Sequence, residues 1–230
     1  MSLATRMRPS ALTMAPEVTE TEMAALLDLM RKERLQGRHL EIGTAAGGTL
    51  KSLMQAYPEG ARPPFSVIDP MTYFPNQMET VHQNLRQAGI DPSCVEFRVG
   101  ASAELLPAAK AAGDRFDFVF IDGNHKAGYV IRDLGWGSLV RTGGVICMHD
   151  HSEGHPGVTW AASRFLRRNR GAYEKVALVQ SLLVIRKVRD SVGDEVGGLD
   201  RLLGDVMSFL HGLRRSFGKR VAALRGKRKG

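Results

Sequence analysis

Cysteine and long apolar runs are scarce in this sequence. Its 230 residues include only two cysteines, Cys94 and Cys147, which are too few for a disulfide framework. Both fall within strand-like sequence, where cysteine acts as a small apolar side chain, so we expect a reducing compartment. No stretch approaches about 18 uncharged apolar residues, and residues 1–16 lack the apolar run of a secretory signal. The sequence therefore predicts a cytoplasmic protein without a membrane-spanning helix.

Acidic residues are missing from the C-terminal end. Residues 211–230 contain eight Lys or Arg residues and no Asp or Glu, and the whole chain has a formal charge of +8. The first 210 residues are therefore neutral overall. A basic end favours an anionic partner, and we favour an anionic membrane surface, with the protein at the membrane periphery, over nucleic acid. A solvated tail is the alternative that composition leaves open.

The rest of the chain alternates strand-like and helical patterns. Thr19 and Glu22 have the spacing of a capping box, which predicts an N-terminal helix packed on the core. Five strand-like runs follow, at residues 39–43, 65–69, 94–99, 116–122 and 144–150. Helical patterns separate them, near residues 47–57, 75–88, 102–112 and 126–140. Five strands joined by crossover helices indicate a doubly wound, parallel sheet.

Two more strand-like runs meet at Gln180–Ser181, and they predict an antiparallel pair at the edge of the sheet. We therefore expect an α/β fold with a Rossmann-like, mostly parallel, seven-stranded sheet and with N- and C-terminal helices. The predicted division is an N-terminal segment and helix (1–37), a ligand-binding domain (38–190) and a basic amphipathic C-terminal helix and tail (191–230).

The stretch HLEIGTAAGGTL, residues 39–50, reads as a strand, a glycine turn and a helix start. Gly43, Gly47 and Gly48 allow a ligand to approach the backbone closely, and the helix directs free N–H groups at it. The spacing is neither G-x-G-x-x-G nor a phosphate-binding loop. Asp69, at the end of the second strand, is placed to accept hydrogen bonds from ribose hydroxyls. A nucleoside without a pyrophosphate is therefore expected.

Four segments in this order resemble class I S-adenosylmethionine-dependent methyltransferases. They are EIGTAAGGTL, VIDP, FDFVFIDGNHKAGYVIRDL and GGVICMHDHS, within residues 38–170. The sequence is most similar to the small O-methyltransferases of methyltransferase family 24, which include macrolide-sugar methyltransferases. The resemblance implies an enzyme that transfers a methyl group from S-adenosyl-L-methionine to a hydroxyl of a small molecule or sugar.

By this resemblance, Glu41, Gly43 and Gly47 surround the methionine portion of the cofactor. Asp69 holds the ribose, and Ser102 lies at the adenine edge. Ser102 also follows a strand directly, so capping of the next helix is an equal alternative for it.

The resemblance also implies a divalent cation, held by Asp122, Asp150 and His151. Two carboxylates suit Mg²⁺, whereas the imidazole of His151 favours Mn²⁺ or a softer ion. Transfer to oxygen requires loss of the hydroxyl proton, and we take His125 as the base because imidazole accepts a proton near pH 7. His149 and His151 are alternative bases.

Two other functions are open from the sequence. The segment HDHSEGH allows a zinc-dependent hydrolase with His149, His151 and His155 as ligands. A non-enzymatic protein that senses a nucleoside and binds a membrane surface through its C-terminal helix is the second alternative. A homo-oligomer is a further prediction.

Overall fold

The computed structural model describes residues 16–33, 35–191, 193 and 195–226, with the side chains of the last helix described up to residue 213. The strands are His39–Ile42 (β1), Phe65–Asp69 (β2), Val95–Val99 (β3), Phe116–Ile121 (β4), Val140–Met148 (β5), Tyr173–Val179 (β6) and Leu182–Lys187 (β7). The α-helices are Glu20–Glu33 (α1), Gly48–Gln55 (α2), Gln77–Gln87 (α3), Ser102–Ala111 (α4), Ala127–Asp133 (α5), Pro156–Arg168 (α6) and Gly198–Gly226 (α7).

The seven strands form one sheet in the order β3-β2-β1-β4-β5-β7-β6. Strands β1 to β5 are parallel, and β7 runs antiparallel to both β5 and β6. The predicted α/β fold and its antiparallel edge pair are confirmed. Because the strand order reverses between β1 and β4, the carboxyl ends of these two strands border the crevice where such sheets bind ligands.

Apolar side chains pack on both faces of the sheet. Phe118 and Phe120 of β4 belong to the cluster beneath α1, α2 and α3, whereas Val119 and Ile121 belong to the cluster beneath α5 and α6. This alternation follows from the two-residue period of a strand. The sheet is therefore buried on both sides, and polar residues at the strand ends gather along its carboxyl edge.

The N-terminal helix begins with the predicted capping box. The Thr19 N–H donates to Glu22 Oε2 at 3.0 Å, and the Glu22 N–H donates to Thr19 Oγ1 at 3.3 Å. Leu26 and Met30 are buried, and Glu33 pairs with Arg186 of β7 at 2.6 Å. The helix is thus fixed to the core and to the β6–β7 hairpin, as expected.

The C-terminal helix α7 is anchored at its start. Asp200 is fully buried, accepts a hydrogen bond from the Gly197 N–H at 2.9 Å and pairs with Arg164 and Arg168. Further along, the side chains of Leu202 and Phe209 are exposed. In the part of the chain that the structure describes, no helix is long and apolar enough to cross a membrane. The side chains of residues 214–230 lie outside the described residues, so the membrane-surface function of the basic end stays a prediction.

Three details differ from the sequence-based expectations. Cys94 is exposed and ends a short 3-10 helix, Pro92–Cys94, because Pro92 and the side chain of Asp91 initiate a turn before β3. The helix expected near residues 126–140 ends at Asp133 and continues as a 3-10 helix, Leu134–Leu139, which contains two glycines. The expected fifth strand, 144–150, begins four residues earlier and ends at Met148. Residues 1–15 of the predicted N-terminal segment lie outside the described residues.

The turn after β1 packs against the end of β4. Gly43 has φ +86°, and a Cβ atom on it would lie 2.5 Å from the Asp122 carbonyl oxygen and 2.6 Å from Gly123 Cα. The Gly43 N–H also donates to the Ile68 carbonyl at 2.9 Å. Glycine is therefore required at this position by both the backbone conformation and the neighbouring strand.

We expect Gly43→Ala to lower the free energy of unfolding clearly more than Gly89→Ala. Gly89 also has a positive φ, +74°, but a Cβ atom there would have no neighbour within 4 Å. The control thus carries only the conformational cost of about 1–2 kcal/mol, whereas Gly43→Ala adds a collision between strands. Urea denaturation of the two variants checks this, and equal losses would contradict the packing argument.

Candidate active site

The carboxylate of Asp69 holds the glycine turn in place. Asp69 is buried; its Oδ2 accepts from the Thr44 N–H at 3.0 Å, and its Oδ1 accepts from the Met71 N–H at 2.6 Å and from Gln77 Nε2 at 3.3 Å. Donors on three segments therefore meet at one side chain. The carboxylate therefore organises the turn. Neither Asp69 nor Gly47 lines the cleft beside this turn, so their contacts with a cofactor stay predictions.

A cleft of about 340 Å³ opens beside this turn. It is lined by backbone and side chains that follow β1 and β4, together with one residue from the N-terminal segment: Glu17, Glu41, Gly43, Thr44, Ala45, Ala46, Gly48, Thr49 and Asp122. Among the described residues, neither Glu41 Oε2 nor Thr44 Oγ1 has a hydrogen-bond partner, although both atoms are buried. A ligand with hydrogen-bond donors, such as an ammonium group, fits these two atoms.

Glu41 is the most strongly perturbed acid of the cleft. Burial and the nearby carboxylates of Asp122 and Asp69 raise the pKa of Glu41 to about 8, although the neighbouring Thr44 side chain opposes this shift. The side chain is therefore protonated at neutral pH in the ligand-free protein, and a cationic ligand would favour its ionised form.

Ser102 is committed to a different contact. It is the first residue of α4, and the N-cap position belongs to Ala101, so Ser102 does not cap this helix. Its hydroxyl donates to Asp133 Oδ1, and its carbonyl accepts from Trp136 Nε1 at 3.1 Å. Burial raises the pKa of Asp133 to about 7. Ser102 does not line the cleft described above, and its adenine contact stays a prediction.

A cluster of carboxylates and imidazoles follows β4 and β5. His149 Nδ1 lies 3.2 Å from Asp122 Oδ1 and 3.7 Å from Asp150 Oδ2. Asp150 Oδ2 also lies 2.9 Å from His125 Nε2, and Asp150 Oδ1 lies 3.3 Å from His155 Nδ1. Two groups of three, Asp122–His149–Asp150 and His125–Asp150–His155, place their possible ligand atoms within 4.8 Å of one another. This donor set fits a divalent cation that accepts both nitrogen and oxygen ligands.

The carboxylates determine the charge of the imidazoles. Asp122 and Asp150 raise the pKa of His125 to about 9. Burial opposes a charge on His149, but Asp122, Asp150 and Glu22 together raise its pKa to about 9 as well. In turn, the pKa of Asp150 is lowered, mainly by His125. At neutral pH without a cation, two imidazolium groups therefore neutralise the two aspartates.

His151 lies outside both groups of possible ligands. Asp150 has φ +60°, a left-handed conformation that aspartate tolerates, and the His151 N–H donates to the Ser181 carbonyl at 2.8 Å. The structure thus brings Asp122 and Asp150, the predicted carboxylate ligands, close to each other. The imidazoles beside them include His149 and His155, whereas His151 lies outside these groups.

Sequence reasoning missed several residues of this site, among them Glu17, Thr44, Glu22 and His155. Glu22 was identified only as a capping residue, although its side chain reaches His149. His155 stood only as a possible zinc ligand, and no pattern placed it opposite His125; the two rings lie 4.6 Å apart between centroids. The HDHSEGH spacing was the one available signal for His155.

We expect the free energy of unfolding to fall as pH rises, because Glu41 loses its proton in the unfolded chain before it does so in the folded protein. Its ordinary pKa of 4.5 applies in the unfolded chain, whereas the folded protein keeps the proton up to about pH 8. The folded state is therefore penalised progressively between these two values and no further above the higher one. We expect Glu41→Gln to gain stability over the native protein across this window. Urea denaturation at a series of pH values checks it, and a difference independent of pH would refute the assignment.

Comparison with known proteins shows a similarity over the central part of the chain. Residues 40–151 match a family model described as a methyltransferase domain, Methyltransf_24. A search of curated proteins found no match.

Solved structures share the fold. Cofactor-bound Rv0187 from MTB is 25% identical with a TM-score of 0.60, and the match covers 77% of this chain and 84% of that one. An O-methyltransferase from Bacillus cereus in complex with SAH is 20% identical, with a TM-score of 0.60 and coverages of 74% and 83%. The O-methyltransferase TomG from Streptomyces achromogenes, in complex with SAM, is 23% identical, with a TM-score of 0.57 and coverages of 75% and 82%. Over residues 40–151, the chain is therefore similar to methyltransferase domain family 24.

Proposed function

We propose that the protein is an S-adenosylmethionine-dependent O-methyltransferase whose acceptor is a hydroxyl of a small molecule or sugar. The observation that carries this proposal is the position of Asp122. It lines the cleft beside Glu41 and Thr44, and it also lines a second cavity of about 200 Å³ together with His125 and His149. A cofactor cleft and a group of acid–base residues thus share one wall. The family match and the SAM- or SAH-bound neighbours support the same activity.

In this proposal the methionine portion of the cofactor lies along the turn after β1. Its ammonium group would meet Glu41 Oε2 and Thr44 Oγ1, the two buried atoms without partners. Gly43 and Gly47 keep the turn close to its neighbours, and Asp69 accepts hydrogen bonds from the ribose. Ser102 is proposed at the adenine edge, and its hydroxyl donates a hydrogen bond to Asp133.

Asp122 and Asp150 are the proposed carboxylate ligands of a divalent cation. A cation at this position would act as a Lewis acid and lower the pKa of the acceptor hydroxyl. An imidazole nitrogen beside these carboxylates would favour Mn²⁺ or a softer ion over Mg²⁺. His151, proposed from the sequence, has less support because it lies outside these groups.

His125 is the proposed base. Its Nε2 atom is buried against Asp150, whereas the side chain as a whole is 40% exposed. In the ion pair with Asp150 the imidazole keeps its proton at neutral pH, since its pKa is raised to about 9. His125 therefore accepts a proton only when its contact with the carboxylates is weakened.

The alternatives receive no support from the comparisons. A zinc hydrolase built on His149, His151 and His155 would need His151 inside the cluster, and the structure places it outside. Binding to an anionic membrane and assembly into a homo-oligomer stay predictions. Formation of SAH on incubation with SAM and a panel of sugar and phenolic hydroxyl compounds tests the proposed activity directly.

Loss of the Asp69 carboxylate should weaken cofactor binding. We expect Asp69→Ala to reduce SAH affinity by about 1.5–3 kcal/mol, or more than tenfold, because a charged acceptor of ribose hydroxyls is lost and the turn loses its anchor. Isothermal calorimetry with SAH measures this. Asp91→Ala, which removes an exposed acid at the start of a 3-10 helix, is the control and should leave the affinity unchanged. Equal affinity for Asp69→Ala would remove this residue from the site.

Loss of the proposed cation should lower turnover and leave cofactor affinity nearly unchanged. Asp150→Asn and treatment with excess chelator should each lower turnover by about 10²-fold or more, because Lewis-acid assistance contributes several kcal/mol. Affinity for SAH should stay nearly constant, since Asp150 does not line the cofactor cleft. Turnover is measured as SAH release with a hydroxyl acceptor found in the panel. Undiminished methyl transfer in excess chelator would contradict the cation assignment.

A further inference from the structure

Glu22 is a buried carboxylate that α1 delivers to the edge of the active site. Its side chain is 1% exposed. Oε1 accepts from the Ser181 N–H at 2.9 Å and the Ser181 hydroxyl at 2.7 Å, and Oε2 accepts from the Thr19 N–H at 3.0 Å and the Thr19 hydroxyl at 2.9 Å. These donors stabilise the ionised form and fix the orientation of the group.

The same carboxylate contacts His149. Glu22 Oε2 lies 3.3 Å from His149 Nε2. An ionised carboxylate can only accept, so Nε2 is the nitrogen that must carry a proton. The opposite nitrogen, Nδ1, then points at Asp122 Oδ1 and Asp150 Oδ2, at 3.2 and 3.7 Å. The imidazole is held at both ends by residues that are 127 and 27 positions away in the sequence.

We propose that Glu22 is a positioning residue that keeps His149 oriented with Nδ1 toward Asp122 and Asp150, so that Nδ1 serves as the nitrogen ligand of the cation site. This inference rests on the cation-assisted function proposed above. It assigns to His149 the nitrogen position that the sequence assigned to His151, and it makes α1 a part of the active site.

The arrangement has the form of a carboxylate–histidine pair behind a metal ligand. In such pairs the outer carboxylate fixes the tautomer and the ring orientation, so that the other nitrogen presents its lone pair. The β6–β7 turn fixes this arrangement through Ser181. The N–H and the hydroxyl of Ser181 donate to Glu22, and its carbonyl accepts from the His151 N–H. His149 is thereby oriented toward the aspartates, while the His151 backbone is held by Ser181.

The test measures cation binding by the ligand-free protein, without SAM or acceptor. Mn²⁺ is titrated into the protein, and free Mn²⁺ is quantified by EPR. We expect Glu22→Gln to weaken Mn²⁺ binding by about 10–100-fold, the range for loss of such an outer carboxylate. Glutamine also serves in a capping box, so the helix start is retained. Pulsed EPR should detect a nitrogen ligand on Mn²⁺ that disappears in His149→Gln.

The matched control is Glu33→Gln on the same helix. It removes the same charge and an ion pair with Arg186 at 2.6 Å, but it does not touch His149. Its Mn²⁺ affinity should equal that of the native protein, and thermal melts should show both variants folded. If Glu22→Gln does not fold, Ser181→Ala replaces it, because this change frees one Glu22 oxygen from its hydroxyl donor.

The outcomes separate the two proposals. Native protein that does not bind Mn²⁺ would overturn both the cation-assisted function and the role of Glu22. Binding that is the same in native protein and Glu22→Gln would overturn only the role of Glu22. Equal weakening by Glu22→Gln and Glu33→Gln would show a general effect of α1 docking and would also overturn that role.

Discussion

The contact between the Gly43 turn and the Asp122 backbone is the constraint on which the site depends. β1 and β4 are neighbours at the centre of the sheet, and the Asp122 N–H donates to the Ile42 carbonyl at 2.9 Å. Because no Cβ atom fits at Gly43, the two strand ends meet without a gap. Asp122 is consequently held between the cleft beside Glu41 and the cavity beside His125. A shift of this junction would change both halves of the site together.

Several carboxylates lie near this edge, and they are accommodated by different means. Asp69 accepts backbone N–H groups, Asp122 and Asp150 face imidazoles, and Glu22 accepts four hydrogen bonds from Thr19 and Ser181. Glu41 has no such partner for one of its oxygens, and its proton compensates for burial. The unpartnered Glu41 oxygen therefore marks a place where a cationic group of a ligand would be favourable. Binding there would also couple to release of a proton.

The sequence predicted those features that depend on local patterns. Strand runs, the capping box of Thr19 and Glu22 and the polar strand ends follow from the spacing of neighbouring residues, and the parallel sheet brings the strand ends together. The nitrogen partners could not be predicted in this way. The left-handed conformation of Asp150 changes the direction of the chain, so strand alternation fails to place His151. Glu22 meets His149 across 127 positions, and only tertiary packing of α1 brings them together. Likewise, the 3-10 helix that begins at Pro92 keeps Cys94 out of β3, where the sequence pattern predicted it.

The family match covers residues 40–151, which include the glycine turn, Asp69, Asp122, His149 and Asp150. Glu22 and His155 lie outside it, on α1 and at the start of α6. The matched segment thus contains the proposed cofactor-binding residues and the carboxylate ligands, whereas two further contacts of the imidazoles, Glu22 and His155, come from outside it. In the proposed site, Glu22 and His155 contact the imidazoles of His149 and His125 without lining the cofactor cleft, so changes at these two residues would affect the proposed cation site more directly than the cleft.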